Sequence, residues 1–195
     1  LLGIVTLLSG ATLLYTLQTG QSFVYVMGKF PAPWGNEIRA GVLEALTALF
    51  FCVIMLLSLL GGRHKLLEEV ESGKTYLYYV LTDLLLSSLL ALVYTNDMFT
   101  AYVFVEINTI SACGLIMIRQ NGRTIEAAVR YMIMSLLGSG LLLLGLCMLY
   151  DLTGHLLMSN MKESVARLAA TGQYEIPLIV AIVLISVGIC IKSAL

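Results

Sequence analysis

Six apolar segments, each long enough to cross a lipid bilayer, constrain this chain more than any other feature of its sequence. Their approximate limits are 1–19, 40–61, 75–95, 97–118, 125–150 and 176 to the last residue. Helices of about 20 residues cross the hydrocarbon of a bilayer, so every segment has the necessary length. Only 12% of the 195 residues are charged, far below the share in soluble domains. We therefore predict an all-α, polytopic transmembrane helix bundle rather than a β-barrel, whose strands would give short alternating segments.

Basic residues in the connecting loops predict how the bundle lies across the membrane. Successive loops fall on alternate sides, and one side concentrates its basic residues in short loops. Short cytoplasmic loops are enriched in lysine and arginine, so that side is predicted to be cytoplasmic. Its basic residues are Arg63, Lys65, Lys74, Arg119 and Arg123, and those of the other side are Lys29, Arg39, Lys162 and Arg167.

Turn-forming residues predict where the apolar segments end. Gly61 and Gly62 are expected to end the second segment, ahead of a short charged loop over 62–74. The third and fourth segments are separated by little more than Thr95–Asp97, which predicts a tight turn.

Two longer loops have features of their own. The loop after the first segment includes the run FPAPWG, where Pro31 and Pro33 impose extended backbone on their neighbours and Trp34 suits the bilayer interface. The longest loop, 151–175, is predicted to hold a short surface helix around Met161–Ala170.

The sequence lacks the patterns of common catalytic and cofactor sites. It contains no P-loop, dinucleotide-binding fingerprint, haem-ligand pair or catalytic triad, and its net charge of -1 gives no indication of nucleic-acid binding. His64 and His155 lie in or beside loops, and no metal-ligating constellation gathers around them. We therefore expect no catalytic residue, no metal and no cofactor in this chain.

Four cysteines lie inside the apolar segments, and none has the CxxC spacing of a redox or metal site. We interpret them as small buried apolar side chains and expect neither disulfides nor structural zinc. They are Cys52, Cys113, Cys147 and Cys190.

Glu106 is the charge that most strongly indicates function. It lies about nine residues into its segment, roughly 14 Å deep at the helical rise, where a charge is costly and usually functional. Tyr102, Thr109 and Cys113 share its helical face and give a polar stripe, which indicates a face turned to protein or water. Two readings stay open: a carboxylate that takes up and releases protons, or a carboxylate fixed in a hydrogen bond between helices.

Two basic residues also lie inside apolar segments. Lys192 is about 16 residues into the last segment and is either a switchable proton carrier or a side chain that extends to an interface. Arg130 is about six residues into the fifth segment and enters from the opposite side. Because arginine does not deprotonate in proteins, Arg130 is either a fixed charge beside Lys192 or a contact to lipid headgroups.

The remaining polar positions in the segments are more ambiguous. Asp83 is central in the third segment and shares a face with Tyr76, Tyr79 and Ser87, so functional and structural roles are equally compatible with it. Glu44 lies one turn into its segment and is interpreted as an interfacial residue. A group of small residues in the fifth segment is predicted to pack against another helix, and it comprises Ser135, Gly138, Ser139 and Gly140.

Four runs of the sequence together resemble the antiporter-like subunits of respiratory complex I, of Mrp-type cation/proton antiporters and of membrane-bound hydrogenases. These runs are TNDMFTAYVFVEINTISACGL, FPAPWG, AAVRYMIMSLLGSGLLLLGLCMLYDLTGHLLM and VGICIKSAL. Within the first run, EINTISACG is more similar to the hydrogenase and Mrp branches than to complex I. The resemblance covers nearly the whole chain.

The resemblance implies roles for individual residues. Glu106 matches the fifth-helix glutamate of the family, and Lys192 matches the seventh-helix lysine that is its electrostatic partner. Arg130 falls where members carry lysine or histidine on the sixth helix, so a proton-carrying role is in doubt there. Asp97 matches the acidic residue of an Asp-Leu-Phe turn at the membrane interface, whereas Asp83 matches no family position.

The resemblance also implies a topology. The chain would be one transmembrane domain over 1–195, corresponding to family helices two to seven, with one helix before it and the second half of the fold after it. The family breaks its seventh helix within the membrane, so a break is expected near the last residues.

The function that the resemblance implies is translocation of protons, or of sodium ions as well, by a membrane subunit of a redox-driven pump or cation/proton antiporter. Expected partners are the lipid bilayer and other membrane subunits, with iron–sulfur or nickel–iron subunits in an oxidoreductase complex. The expected location is a prokaryotic cytoplasmic membrane. The alternative is a structural scaffold whose buried charges only hold helices together. A membrane enzyme acting on lipid is less compatible with charges at the bilayer centre.

Overall fold

Seven α-helices, one β-hairpin and one 3₁₀ turn make up the part of the chain that the structure describes. The computed structural model describes residues 1–30, 35–71, 73–172 and 174–193, with the backbone alone of Leu67. The helices are α1 (Leu2–Thr19), α2 (Val42–Glu69), α3 (Thr75–Tyr94), α4 (Met98–Met117), α5 (Gly122–Thr153), α6 (Met158–Thr171) and α7 (Glu175–Lys192). The strands are β1 (Phe23–Val26) and β2 (Glu37–Ala40), and the 3₁₀ turn is Met27–Lys29.

Six of these helices, all except α6, are long and apolar enough to cross a membrane. The predicted all-α polytopic bundle is therefore confirmed. The predicted surface helix in the long loop is confirmed as α6, and the predicted tight turn lies between α3 and α4. The predictions for Pro31, Pro33 and Trp34 fall outside the described residues.

The second helix continues past its predicted end. Gly61 and Gly62 lie inside α2, which ends only at Glu69, so most of the predicted charged loop is helical. A glycine within a helix costs only about 1 kcal/mol relative to alanine. The turns that follow have their own support, because His64 Nδ1 lies 3.2 Å from a Glu68 carboxylate oxygen one turn later.

The two ends of the bundle are stabilised by different kinds of contact. At one end, called here the charged end, Arg119 forms an ion pair with Glu69 and so connects the α4–α5 loop to the end of α2. At the same end, the Lys74 ammonium bonds Glu71 at 2.7 Å and lowers the pKa of that exposed carboxyl from its ordinary value.

The opposite end, called here the hairpin end, is joined by backbone hydrogen bonds. Strands β1 and β2 form an antiparallel hairpin that the sequence did not predict. The amide of Asn96 donates to the Glu37 carbonyl at 2.9 Å, and the amide of Met158 donates to the Asn96 carbonyl at 2.8 Å. The α3–α4 turn is thus joined to β2 on one side and to α6 on the other.

Helices α5 and α7 approach each other most closely at glycines. A methyl group added at Gly188 would lie 2.8 Å from the Gly138 carbonyl oxygen and 2.7 Å from the Leu142 amide nitrogen. Such distances are too short for a side chain, so the two backbones touch here, as small residues allow in membrane helices. This contact brings the end of α7 against the middle of α5.

The cysteines are free thiols, but they are not all buried. Cys52 and Cys113 are buried as predicted, whereas Cys147 and Cys190 lie on the outer surface of the bundle. The prediction was wrong for these two because the outer surface of a membrane helix is as apolar as its interior.

Candidate functional site

Glu106 and Lys192 meet inside the bundle, although 86 positions separate them in the sequence. Glu106 lies in the middle of α4 and Lys192 is the last residue of α7. The Lys192 Nζ donates to Glu106 Oε1 at 2.6 Å, and the two side chains are 10% and 25% exposed, respectively. The pair therefore places one positive and one negative charge together at the depth where an isolated charge is costly.

Three hydroxyl groups surround this pair. Ser139 of α5 donates a hydrogen bond to Glu106 Oε1. Lys192 Nζ also donates to Thr109 Oγ1 at 3.2 Å, and Ser135 Oγ donates to the same oxygen at 3.3 Å. Thr109, Ser135 and Ser139 are buried, so these hydrogen bonds are shielded from solvent.

The local sequence explains why these groups converge. Glu106 and Thr109 are three residues apart and share one face of α4, while Ser135 and Ser139 are four residues apart and share one face of α5. The glycine contact between α5 and α7 brings the third helix close enough for the Lys192 side chain to reach Glu106 and Thr109. Three helices thus contribute to one polar centre.

The electrostatics of the centre favour the paired state. The two charges neutralise each other, and removal of one partner from a buried pair costs about 3–5 kcal/mol. A carboxylate can accept a proton and an ammonium can donate one. The arrangement is therefore chemically capable of proton transfer.

Two of the predicted translocation residues lie outside this centre. Arg130 bonds Glu126 at 2.5 Å, one turn earlier on its own helix, and both side chains are largely exposed. Asp83 lines a small crevice between α1 and α3 that also includes Leu2 and Ser87. The structure gives neither residue a bond to Glu106 or Lys192, and their roles in translocation stay predictions.

Asp97 has a local structural position at the interface turn. Its Oδ1 accepts a hydrogen bond from the Thr100 amide at 2.6 Å and so caps the N-terminus of α4. Glu44 acts similarly at α2, where its Oε2 accepts from the Gly41 amide at 3.0 Å.

The other members of the polar stripe make different contacts. The Tyr102 ring lies beside Phe99, with 6.2 Å between ring centroids. The Cys113 thiol lies 3.7 Å from the Ala128 carbonyl oxygen on α5. Within the described ranges, no group of three or more histidine, cysteine, aspartate or glutamate residues could hold a metal ion.

Two residues of the site, Ser135 and Ser139, were not predicted from the sequence. Their small side chains predict helix packing along with Gly138, whose backbone approaches α7 closely. Both serine hydroxyls instead point into the polar centre. Their spacing of four residues in an apolar helix was the available signal, since it places two hydroxyls on one face.

Comparisons with known proteins identify the relatives of this chain. Residues 95–195 match the family described as NADH:quinone oxidoreductase/Mrp antiporter, TM, and this range contains all five residues of the polar centre. The chain is 34% identical over 197 residues to the NADH-quinone oxidoreductase subunit N of Desulforudis audaxviator, covering 97% of this chain and 37% of that protein. It is 26% identical over 146 residues to a Na(+)/H(+) antiporter subunit of Bacillus subtilis, covering 75% and 29% respectively.

The fold also matches a solved structure. A chain of the membrane-bound sulfane sulfur reductase, an archaeal respiratory membrane complex, superposes with a TM-score of 0.80 and 26% identity, covering 97% of this chain and 37% of that chain. This chain thus spans between 29% and 37% of the length of these relatives. Its six apolar helices and the family match make it an integral membrane protein, and it belongs to the transmembrane family shared by NADH:quinone oxidoreductases and Mrp antiporters.

Proposed function

We propose that this chain is an ion-translocating membrane subunit of a multisubunit complex, and that the Glu106–Lys192 pair takes part directly in translocation. The single observation that carries the proposal is the bond of 2.6 Å between Lys192 Nζ and Glu106 Oε1 in the interior of the bundle. The names of the relatives support it, since they include an oxidoreductase subunit and a sodium/proton antiporter subunit.

The mechanism is electrostatic. While the pair is closed, each group stabilises the charged form of the other. When the pair opens, the Lys192 ammonium loses its carboxylate partner and releases its proton more readily. Uptake of a new proton by Lys192 as the pair closes would restore the ammonium, so that repeated opening and closing would move protons past the centre of the bundle.

The source of the driving force lies outside this chain in our proposal. Partner membrane subunits would open the pair, driven by iron–sulfur or nickel–iron redox chemistry in an oxidoreductase complex or by a counter-ion gradient in an antiporter. This chain would hold no cofactor of its own. The transported ion would be the proton, with sodium as the counter-ion in an antiporter, and the membrane would be a prokaryotic cytoplasmic membrane.

The test is the substitution Glu106→Gln in the complete complex, reconstituted into lipid vesicles. Glutamine keeps the size of the side chain but cannot carry the negative charge. We expect ion transport per assembled complex to fall by about a hundredfold or more, the scale of a lost proton-transfer group.

Glu126→Gln is the matched control, because Glu126 is a glutamate of the neighbouring helix whose ion pair is largely exposed. Its transport should match the wild type. Wild-type transport by the Glu106→Gln complex would exclude the proposed role of the pair.

A structural scaffold is the second candidate, and the network of hydrogen bonds across α4, α5 and α7 favours it. In a scaffold, the polar centre would only hold these helices together. The same substitution separates the two functions: a scaffold predicts less assembled complex in the membrane, with unchanged transport by each complex that does assemble.

A further inference from the structure

Thr109 can act toward the charge pair only as a hydrogen-bond acceptor. Its hydroxyl donates its hydrogen to the Val105 carbonyl oxygen at 2.9 Å. A hydroxyl group has a single hydrogen, so Thr109 Oγ1 must accept the bonds from Lys192 and from Ser135. Thr109 is thus a partner for the ammonium and not for the carboxylate.

Ser139 has the opposite role. Its buried hydroxyl reaches two acceptors, Glu106 Oε1 and the Ser135 carbonyl oxygen at 2.8 Å. The carbonyl belongs to the residue four positions earlier in α5, so it already accepts the helical amide hydrogen of Ser139. The Ser139 hydroxyl can therefore turn fully toward the carboxylate without leaving that carbonyl unsatisfied.

We infer that Ser139 and Thr109 form a hydroxyl bracket, in which Ser139 keeps the Glu106 carboxylate and Thr109 keeps the Lys192 ammonium hydrogen-bonded while the two charges are apart. This inference rests on the proposed function, because it concerns the opening of the pair. Ser139 and Thr109 are positioning residues that act through the two charged groups.

The placement of the bracket on the helices supports this role. Glu106 and Thr109 belong to α4 and Ser139 belongs to the adjoining α5, whereas Lys192 is at the end of α7. The ammonium already lies 3.2 Å from Thr109 Oγ1, so it can leave the carboxylate and keep one bond. An unpaired polar group in a buried site is costly, and each hydroxyl removes part of that cost in the open state.

The test uses Ser139→Ala and Thr109→Val in the complete complex in vesicles. Loss of a hydrogen bond to a charged group should slow the opening, so we expect transport per assembled complex to fall about tenfold in each variant. The conservative variants Ser139→Thr and Thr109→Ser keep the hydroxyl and should restore most of the transport.

Matched controls are available on α4 itself and on the neighbouring α3. Ser111→Ala and Thr82→Val remove buried hydroxyls that donate only to carbonyl oxygens of their own helices, Ile107 at 2.7 Å and Tyr78 at 2.8 Å. These controls should transport at the wild-type rate. Equal transport by the bracket variants and the controls would overturn the inference.

Infrared spectroscopy of the purified complexes gives a second measurement, which a purely structural role would not change. The carboxyl bands of Glu106 are identified by their loss in Glu106→Gln. Ser139→Ala should shift these bands, because it removes a donor to the carboxylate, whereas Thr109→Val should shift them less. Wild-type bands in Ser139→Ala would contradict the assignment.

The outcomes stay distinct if a variant assembles poorly. Ser139→Cys is close in size and donates a weaker hydrogen bond, so it should shift the same bands in part. Wild-type bands in the cysteine variant would also overturn the bracket. If Glu106→Gln loses transport while Ser139→Ala and Thr109→Val transport normally, only the bracket is excluded. If Glu106→Gln itself transports normally, the proposed function is excluded.

Discussion

At the scale of single residues, the central feature is the largely buried ammonium of Lys192 and its two hydrogen-bond partners. Lys192 is 10% exposed and bonds both Glu106 and Thr109. A lysine in such a position can switch between charged and neutral forms, whereas an arginine stays charged. Under the proposed function, a lysine here would be able to release a proton, whereas an arginine would only hold the helices together.

Lys192→Arg tests this difference directly. Arginine can keep the ion pair with Glu106 but cannot release a proton, so we expect normal assembly and a fall in transport of about a hundredfold or more. The measurement is transport per assembled complex in vesicles, with Lys162→Arg on the surface of α6 as the control. Substantial transport by Lys192→Arg would show that Lys192 need not release its proton.

At the scale of helices, the polar centre depends on how closely α7 approaches α5. Gly188 lies one turn before Lys192, and its backbone touches α5 near Gly138. A larger residue at either position would separate the helices and withdraw the ammonium from the carboxylate. Helix contact and charge pairing are therefore coupled.

Gly188→Ala should disturb this contact, because the added methyl meets backbone atoms of α5 at 2.7 and 2.8 Å. We expect a loss of about 1–3 kcal/mol in stability, as in other overpacked sites, together with reduced transport. Thermal unfolding of the purified complex measures the first effect. Gly140→Ala is the control, since a methyl group there meets nothing within 4 Å; equal melting temperatures for the two variants would argue against the contact.

The sequence predicted the helices better than their contacts. Their number and type followed from the apolar segments, but α2 continued through Gly61 and Gly62, because adjacent helix-forming residues outweighed two weak positions. Ser135 and Ser139 were assigned to packing, since small residues in a membrane helix serve both packing and hydrogen bonding. Only the position of the neighbouring helix separates these two uses.

At the scale of the whole molecule, the hairpin end joins segments that are far apart in the sequence. The Asn96 side chain donates to Glu37 Oε2 at 3.0 Å and to Ser159 Oγ at 3.4 Å. It thereby adds side-chain bonds to the backbone bonds that connect β2, the α3–α4 turn and α6. The start of α4, about two turns before Glu106 at the helical pitch, is fixed by this arrangement.

Asn96→Ala should loosen the hairpin end without removing any transmembrane helix. The loss of its hydrogen bonds, each worth about 1 kcal/mol, should increase amide hydrogen exchange in β2 and at the start of α6. Mass spectrometry of the exchanging complex measures this change. Asn160→Ala, which removes only an exposed contact with the adjacent Ser159, should leave the exchange unchanged; similar exchange in both variants would contradict the role of Asn96.

The sequence by itself determined the six membrane helices, the surface helix and the cost of the charge at Glu106, because hydrophobic length and charge are properties of each segment alone. The family resemblance predicted Lys192 as the partner of Glu106, and the structure shows their bond. Only the tertiary structure decided that Arg130 pairs with Glu126 instead, and that Ser139 and Thr109 flank the charge pair. Apart from the Arg130–Glu126 pair within α5, these are relations between helices, and they depend on close packing at Gly188 and on bond distances that no single segment specifies.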